Sequence, residues 1–280
     1  MRYNVGKMQK VYCIIPTRNR LSCLKNIINI LNQQTYSVIS VIVIDDGSTD
    51  GTHDYLEHHA LTNLTVIEGD GELWWGGATA VGMKAAILMA ADSDVLLLLN
   101  DDCVFDENYI KLMLEKIYSM PPGAVVSPQY DVNSKMYAYA GYKIDHYKQS
   151  ITHVKCEPID ASVGRGLMIP VNVVKNIGII NARKFPHYMG DIEYSARIKD
   201  FNYRLEVAWN APMYSDLNPS DMPVQNLGGW RKWLHKRSKS NIFDVLKLFH
   251  RRGPFWTRFT AFPRMVSRLG VSSLRSMLNK

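Results

Sequence analysis

Residues 11–52 read VYCIIPTRNRLSCLKNIINILNQQTYSVISVIVIDDGSTDGT, and they decide the fold. The apolar run 11–16 is short and ends in proline, as a buried strand does. Residues 21–33 place Leu21, Leu24, Ile27, Ile28 and Leu31 at helical spacing. The next apolar run, 40–44, stops at Asp45 and reads as a second buried strand. This is a strand–helix–strand unit with polar residues at the end of each strand.

The pattern continues outward. Residues 52–59 read as a short helix, 64–68 as a strand and 77–91, rich in Ala and Met, as a helix. Residues 94–99 form an apolar run ending in Asn100-Asp101-Asp102, and 108–118 read as a helix. Such alternation predicts a mostly parallel sheet with helices on both faces. Ligands of these sheets sit beyond the carboxyl ends of the strands. Three polar clusters fall there: 17–19, 45–48 and 100–102. Residues 125–163 are irregular, with Tyr-rich short strands around 136–142. Further on, 167–170 read as a strand, 171–177 as a helix and 191–201 as a helix ended near Asn202.

The net charge of +7 is unevenly spread. Residues 229–280 hold 13 Lys/Arg and one acid, Asp244, a local charge of +12; residues 1–228 hold 20 basic and 25 acidic residues, or −5. The four cysteines form no CxxC pair, which argues against a structural zinc site and fits a reducing compartment. No N-terminal signal peptide or run of about 20 apolar residues is present, so the reading is a soluble or peripheral protein.

Each cluster has a chemical reading beside a plainer one. Asp45 and Asp46 can accept hydrogen bonds from a nucleobase or ribose, although Asp, Gly, Ser and Thr also simply make turns. The oxygens of Leu96–Phe105 (LLLLNDDCVF) suit Mg²⁺ or Mn²⁺ beside substrate phosphates, although a solvated turn has the same composition. In HYMGDIEYSAR, 187–197, Asp191 and Glu193 are either first-turn acids favoured by the helix dipole or a general base near a sugar hydroxyl, with Arg197 one turn beyond as ion-pair partner. In EGDGELWWGGATAVGM, 68–83, glycines such as Gly77 permit close approach to a ligand, and Trp74 and Trp75 either stack on a sugar or pack.

Taken in this order, the motifs resemble family 2 glycosyltransferases of the GT-A fold over residues 9–216. The IPTRNR run, with Pro16, Thr17, Arg18 and Asn19, resembles that family's first nucleotide-binding loop, and DDGSTDGT its second. The resemblance implies that Asp45 contacts the base, with Asp46 nearby. The NDD run stands where the family carries its DxD metal motif, with Asn100 in place of the first Asp. It implies Asp102 as principal ligand of a divalent metal, Asp101 beside the nucleotide, and Asp216 in place of a late His. Asp191 matches the family's catalytic base, and Gly164-Arg165-Gly166 its glycine-rich stretch lining the donor and acceptor pockets. Glu193 and Arg197 fall in register as acceptor-side residues. The 68–83 stretch resembles the rhamnosyl- and galactofuranosyl-type branch.

The expectation is an inverting transfer from a UDP- or dTDP-linked sugar to a glycan acceptor, lipid-linked as in bacterial surface-polysaccharide assembly. Residues 1–220 would form the catalytic domain (9–120 binding the nucleotide-sugar, 121–220 on the acceptor side). Residues 221–280 would form a basic amphipathic extension. The cluster Trp230, Arg231, Lys232, Trp233, Lys236, Arg237 and Lys239, and the Phe/Trp/Arg pattern of 255–269, suit the inner, cytoplasmic face of an anionic membrane. Packing on the catalytic domain or on a second subunit is the other reading, and no nucleic-acid motif accompanies the charge. An inactive nucleotide-sugar-binding scaffold subunit is the alternative. A nucleotidyltransferase would carry a glycine in the first loop, which IPTRNR does not.

Overall fold

The strand β1 (Val11–Thr17) alternates its side chains between two cores, which organises the molecule. Val11, Cys13 and Ile15 enter one core, with residues of α1 (Leu21–Asn32) and α4 (Tyr109–Ser119). Tyr12 and Ile14 enter the other, with residues of α3 (Trp74–Met89), α5 (Val171–Ile177) and α6 (Gly190–Asp200). Helix α1 buries Leu24, Ile27, Ile28 and Leu31, one face at the predicted spacing. Every residue of β2 (Ile39–Asp45) is buried, as a strand covered on both faces requires. The computed structural model describes residues 8–58, 63–217 and 242–252.

The remaining elements are α2 (Thr52–His58), β3 (Leu64–Glu68), β4 (Val95–Leu98), β5 (Gly123–Val126), β6 (Gln129–Asp131), β7 (Tyr137–Tyr139), β8 (Gly141–Asp145), β9 (Ser150–Val154), β10 (Leu167–Pro170), β11 (Arg204–Val207), β12 (Met213–Ser215) and α7 (Ile242–Arg252). The main sheet has seven strands in the order β11-β5-β10-β4-β1-β2-β3. Strands β4, β1, β2 and β3 run parallel, β10 runs antiparallel to both neighbours, and β11 is parallel to β5. This is the mixed, mostly parallel α/β architecture expected. Residues 125–163 supply short strands and no helix, in a three-stranded sheet (β12-β6-β7) and the hairpin β8-β9.

The predicted helices and buried strands fall within one residue of those observed at either end, except α3, while the Tyr-rich strands expected around 136–142 are β7 and β8 and run on to Asp145. Helix α3 starts at Trp74, three residues before the expected position, and ends at Met89. The cause is distant in sequence. Asp46, just after β2, accepts the backbone N–H groups of Gly71, Leu73 and Trp74 at 2.9, 3.2 and 2.9 Å. A carboxylate on these otherwise unpaired donors starts the helix there.

The basic stretches 230–239 and 255–269 lie outside the described residues. Between them α7 packs on the body: Leu248 and Phe249 are buried, Phe249 meets His146 edge-on at 6.2 Å, and Lys247 donates to the Lys184 carbonyl at 3.0 Å. This segment therefore follows the packing alternative. Among the described residues no helix is long and apolar enough to cross a membrane.

Candidate active site

Because β4, β1 and β2 are adjacent and parallel, their carboxyl ends open on one edge of the sheet. The cross-strand register sets Thr17 beside Asp45. The Thr17 hydroxyl donates to Asp101 Oδ2 at 2.9 Å, which ties the end of β1 to the loop after β4. Arg20, which the sequence reading passed over, lies 2.8 Å from Asp101 Oδ1 and 3.3 Å from Asp102 Oδ2. Burial pushes the Asp101 carboxyl up to about 6, with Arg20 pulling it down and Asp102 pushing it up. Asp101 and Asp102, predicted beside the nucleotide and on the metal, are thus held by one guanidinium.

Asp102 Oδ1 is buried and accepts no hydrogen bond, an unsatisfied acceptor at this edge. Among the described residues no three His, Cys, Asp or Glu groups assemble into a metal cluster, so Asp216 does not complete a cage with Asp101 and Asp102. Asp216 follows β12, whose Tyr214 exchanges backbone hydrogen bonds with Val104. One or two carboxylates are nevertheless what Mg²⁺ takes from protein when substrate phosphates complete its shell. The donor set fits such an ion.

The loops around this edge are closed by their own polar groups. Pro16 pairs in register with Ile44. The Arg18 guanidinium donates to the Gly71 carbonyl. Asn19, with φ 51°, donates its N–H to Ser48 Oγ at 2.8 Å and accepts the Thr49 N–H at 2.6 Å. Asp45 is buried and accepts the Ser48 N–H at 3.1 Å, closing the turn.

On the acceptor side, Asp191 lies in the first turn of α6. Its Oδ2 accepts the Gly164 N–H at 3.2 Å and its Oδ1 the Ile192 N–H at 2.9 Å. Burial pushes the Asp191 carboxyl above the usual carboxylate range, against those two donors, which pull it down. Burial also raises the Tyr142 and Tyr188 phenols, and the nearby Asp191 charge adds to both shifts. Two phenols therefore lie near the candidate base, one from the Tyr-rich run at 136–142 and one from the segment just before α6.

Trp75 joins the two halves. Its indole N–H donates to Asn100 Oδ1 at 2.9 Å. Its ring lies where a Cβ on Gly164 would stand, so only glycine fits at that position. Trp74, in the left-handed region at φ 56°, meets His187 edge-on at 6.0 Å. Arg165 donates to Gln129 Oε1 at 2.8 Å and to the Tyr139 hydroxyl at 3.2 Å.

The expected Glu193–Arg197 ion pair is present, and three expected ligand contacts, those of Glu193, Arg197 and Gly77, are corrected. Glu193 and Arg197 are buried and pair with each other, and Arg197 also donates to the carbonyls of Ile177 and Ile179 at 3.1 and 3.0 Å. They lock α6 to the segment after α5 and offer nothing to a sugar. Gly77 is buried and gives its N–H to the carbonyl of Leu73, the residue before α3, so the close approach of a ligand expected there is not open. Gly166, at φ 78°, donates its N–H to the Leu98 carbonyl at 2.8 Å, and a Cβ there would stand 2.9 Å from the Ser127 side chain, so glycine is required at the approach to β10.

This edge, with clustered carboxylates, a strand-end opening and a separate half-buried acid, lies where α/β sheets of this kind take their ligands. The sequence model of "Glycosyl transferase family 2" matches residues 12–178. The chain belongs to that family.

The chain is 32% identical over 103 residues to the O-antigen chain rhamnosyltransferase RfbN of Salmonella typhimurium, covering 36% of this chain and 31% of RfbN. Across the curated relatives it matches, the chain spans 31–38% of their length. Its fold resembles S. aureus TarS 1-349 in complex with UDP, with TM-score 0.63 and 15% identity over 97% of this chain and 92% of that one. It also resembles the mannosyltransferase PcManGT from Pyrobaculum calidifontis in complex with GDP-Man and Mn²⁺, with TM-score 0.58 and 13% identity over 97% and 81%. These likenesses identify the fold as GT-A.

Proposed function

We propose that this protein is an inverting glycosyltransferase that moves a sugar from a UDP- or dTDP-linked donor to an acceptor hydroxyl. The observation that carries this reading is the single cleft edge where Thr17, Arg20, Asp101 and Asp102 meet, joined through Trp75 to Gly164 and Asp191. The base of the nucleotide lies near Asp45, with Pro16, Thr17, Arg18 and Asn19 along its loop and Asp46 behind it. Asp102, with Asp101 beside it, would hold a divalent cation, which supplies charge neutralisation to a departing diphosphate.

Asp191 takes the proton from the acceptor hydroxyl. The acceptor oxygen bonds the anomeric carbon from the face opposite the diphosphate, and the carbon–oxygen bond to phosphate breaks with its electron pair leaving on the nucleoside diphosphate. The raised Asp191 carboxyl suits a base that must accept a proton. Trp74, Trp75 and Arg165 border the sugar.

The acceptor is a lipid-linked glycan of bacterial surface-polysaccharide synthesis, in keeping with the likeness to an O-antigen rhamnosyltransferase. Residues 1–220 are the catalytic domain, and the basic extension 221–280 holds it on the inner face of an anionic membrane, each Lys/Arg adding about 1 kcal/mol. A homodimer through the extension is the competing arrangement.

The test is calorimetric binding of UDP-, dTDP- and GDP-sugars with and without Mn²⁺ or Mg²⁺. One donor binding tightly only with metal, and losing affinity in Asp102→Ala, supports the site. A folded protein that binds none of them favours a scaffold subunit without activity of its own.

A further inference from the structure

The Trp75–Asn100 hydrogen bond fixes more than packing. An indole N–H is a donor only, so the Asn100 oxygen must face it and the amide nitrogen must face the other way. The Asn100 backbone is held as well: its N–H donates to Cys103 Sγ at 3.3 Å and its carbonyl accepts the Cys103 N–H at 3.3 Å. Among the described residues the Asn100 amide nitrogen has no partner. It is not among the solvent-excluded polar atoms, so a ligand can reach it. The residue immediately precedes Asp101 and Asp102, whose free Oδ1 marks the same edge.

We infer that Asn100, with its amide oriented by Trp75, is a donor group for a phosphate oxygen of the nucleoside diphosphate. The inference rests on the glycosyltransferase reading above. An aspartate at this position would turn an acceptor toward the ligand. The amide turns two N–H donors toward it, which match oxygens that only accept. Part of the diphosphate affinity is therefore held by protein donors and does not need a cation. Trp75 acts here as a positioning residue, because freeing the amide to flip would present oxygen to oxygen.

Isothermal titration would be run with UDP, dTDP and GDP, and with the matching nucleosides, in EDTA and then in Mn²⁺. In EDTA, Asn100→Asp is expected to weaken binding of the diphosphate that wild type takes by about tenfold or more, the scale of a lost hydrogen bond to a charged group. Nucleoside affinity is expected to hold, and Mn²⁺ to recover most of the loss. Trp75→Phe, which removes the indole N–H together with the ring edge that meets Gly164, is expected to shift EDTA binding the same way by about threefold with nucleoside affinity held. Wild-type affinity of Asn100→Asp for the diphosphate in EDTA overturns the assignment, as does an equal loss for the nucleoside. An unshifted Trp75→Phe removes Trp75 from it. A wild-type protein that binds no nucleoside diphosphate in either buffer instead fails the transferase reading.

Discussion

Asp46 Oδ2 accepts the backbone N–H of Trp74 at 2.9 Å, tying the end of β2 to the first residue of α3, and Oδ1 holds Gly71 and Leu73 as well. The carboxylate occupies the helix N-terminus from inside the protein. It serves as an anchor of the loop that carries both tryptophans.

Asp46→Ala is accordingly expected to lower unfolding stability by about 2–3 kcal/mol, the scale of a lost cap with charged acceptors. Asp46→Asn, which keeps one acceptor oxygen, is expected to lose about 1 kcal/mol. Urea unfolding reads both. Wild-type stability in the alanine variant would leave Asp46 free for a ligand-binding role alone.

Removing the base separates chemistry from binding. Asp191→Asn keeps an acceptor for the Gly164 N–H and the same shape, so donor affinity and melting temperature are expected to stay near wild type. Turnover is expected to fall about 10²–10⁴-fold. Retained turnover would take Asp191 out of the catalytic role.

The same carboxyl sets a pH dependence. Asp191 must be ionised to take a proton, and burial raises its pKa above the usual 3.8. The rate is therefore expected to fall as pH drops through a point above that value, with the acid limb shifted upward from an exposed aspartate. A kcat profile from pH 4 to 8 checks this. A rate still flat at pH 4 contradicts it.

The buried Glu193–Arg197 pair tests whether these residues serve the fold or the sugar. Arg197→Ala strands a buried carboxylate and two carbonyls, at an expected cost of about 3–5 kcal/mol. Its low-temperature KM for donor and acceptor is expected to hold, in whatever fraction remains folded. A stable variant with a raised acceptor KM would restore the sugar-contact reading. Glu193→Gln, which retains an acceptor for the guanidinium, is expected to be milder.

The sequence by itself determined the strand and helix order, the two-faced sheet and the three polar strand ends, because each depends on local apolar periodicity and on residues that stop a strand. Residues 11–17, 39–45 and 95–98 announce themselves this way, and the clusters after them must then share one edge. Motif order, through the family resemblance, also singled out Asp101, Asp102 and Asp191 as candidates. Only the tertiary structure decided which of these polar groups are spent on the protein itself. The early start of α3 depends on Asp46, 28 residues before Trp74, and the salt bridges of Arg20 reach across 82 residues to Asp102. Glu193 and Arg197 turn inward because α6 presents that face to the segment after α5. The direction of the Asn100 amide is set by an indole 25 residues earlier. Local pattern fixes which face of an element is apolar. A polar side chain's partner is fixed by which elements the fold brings within about 3 Å of it.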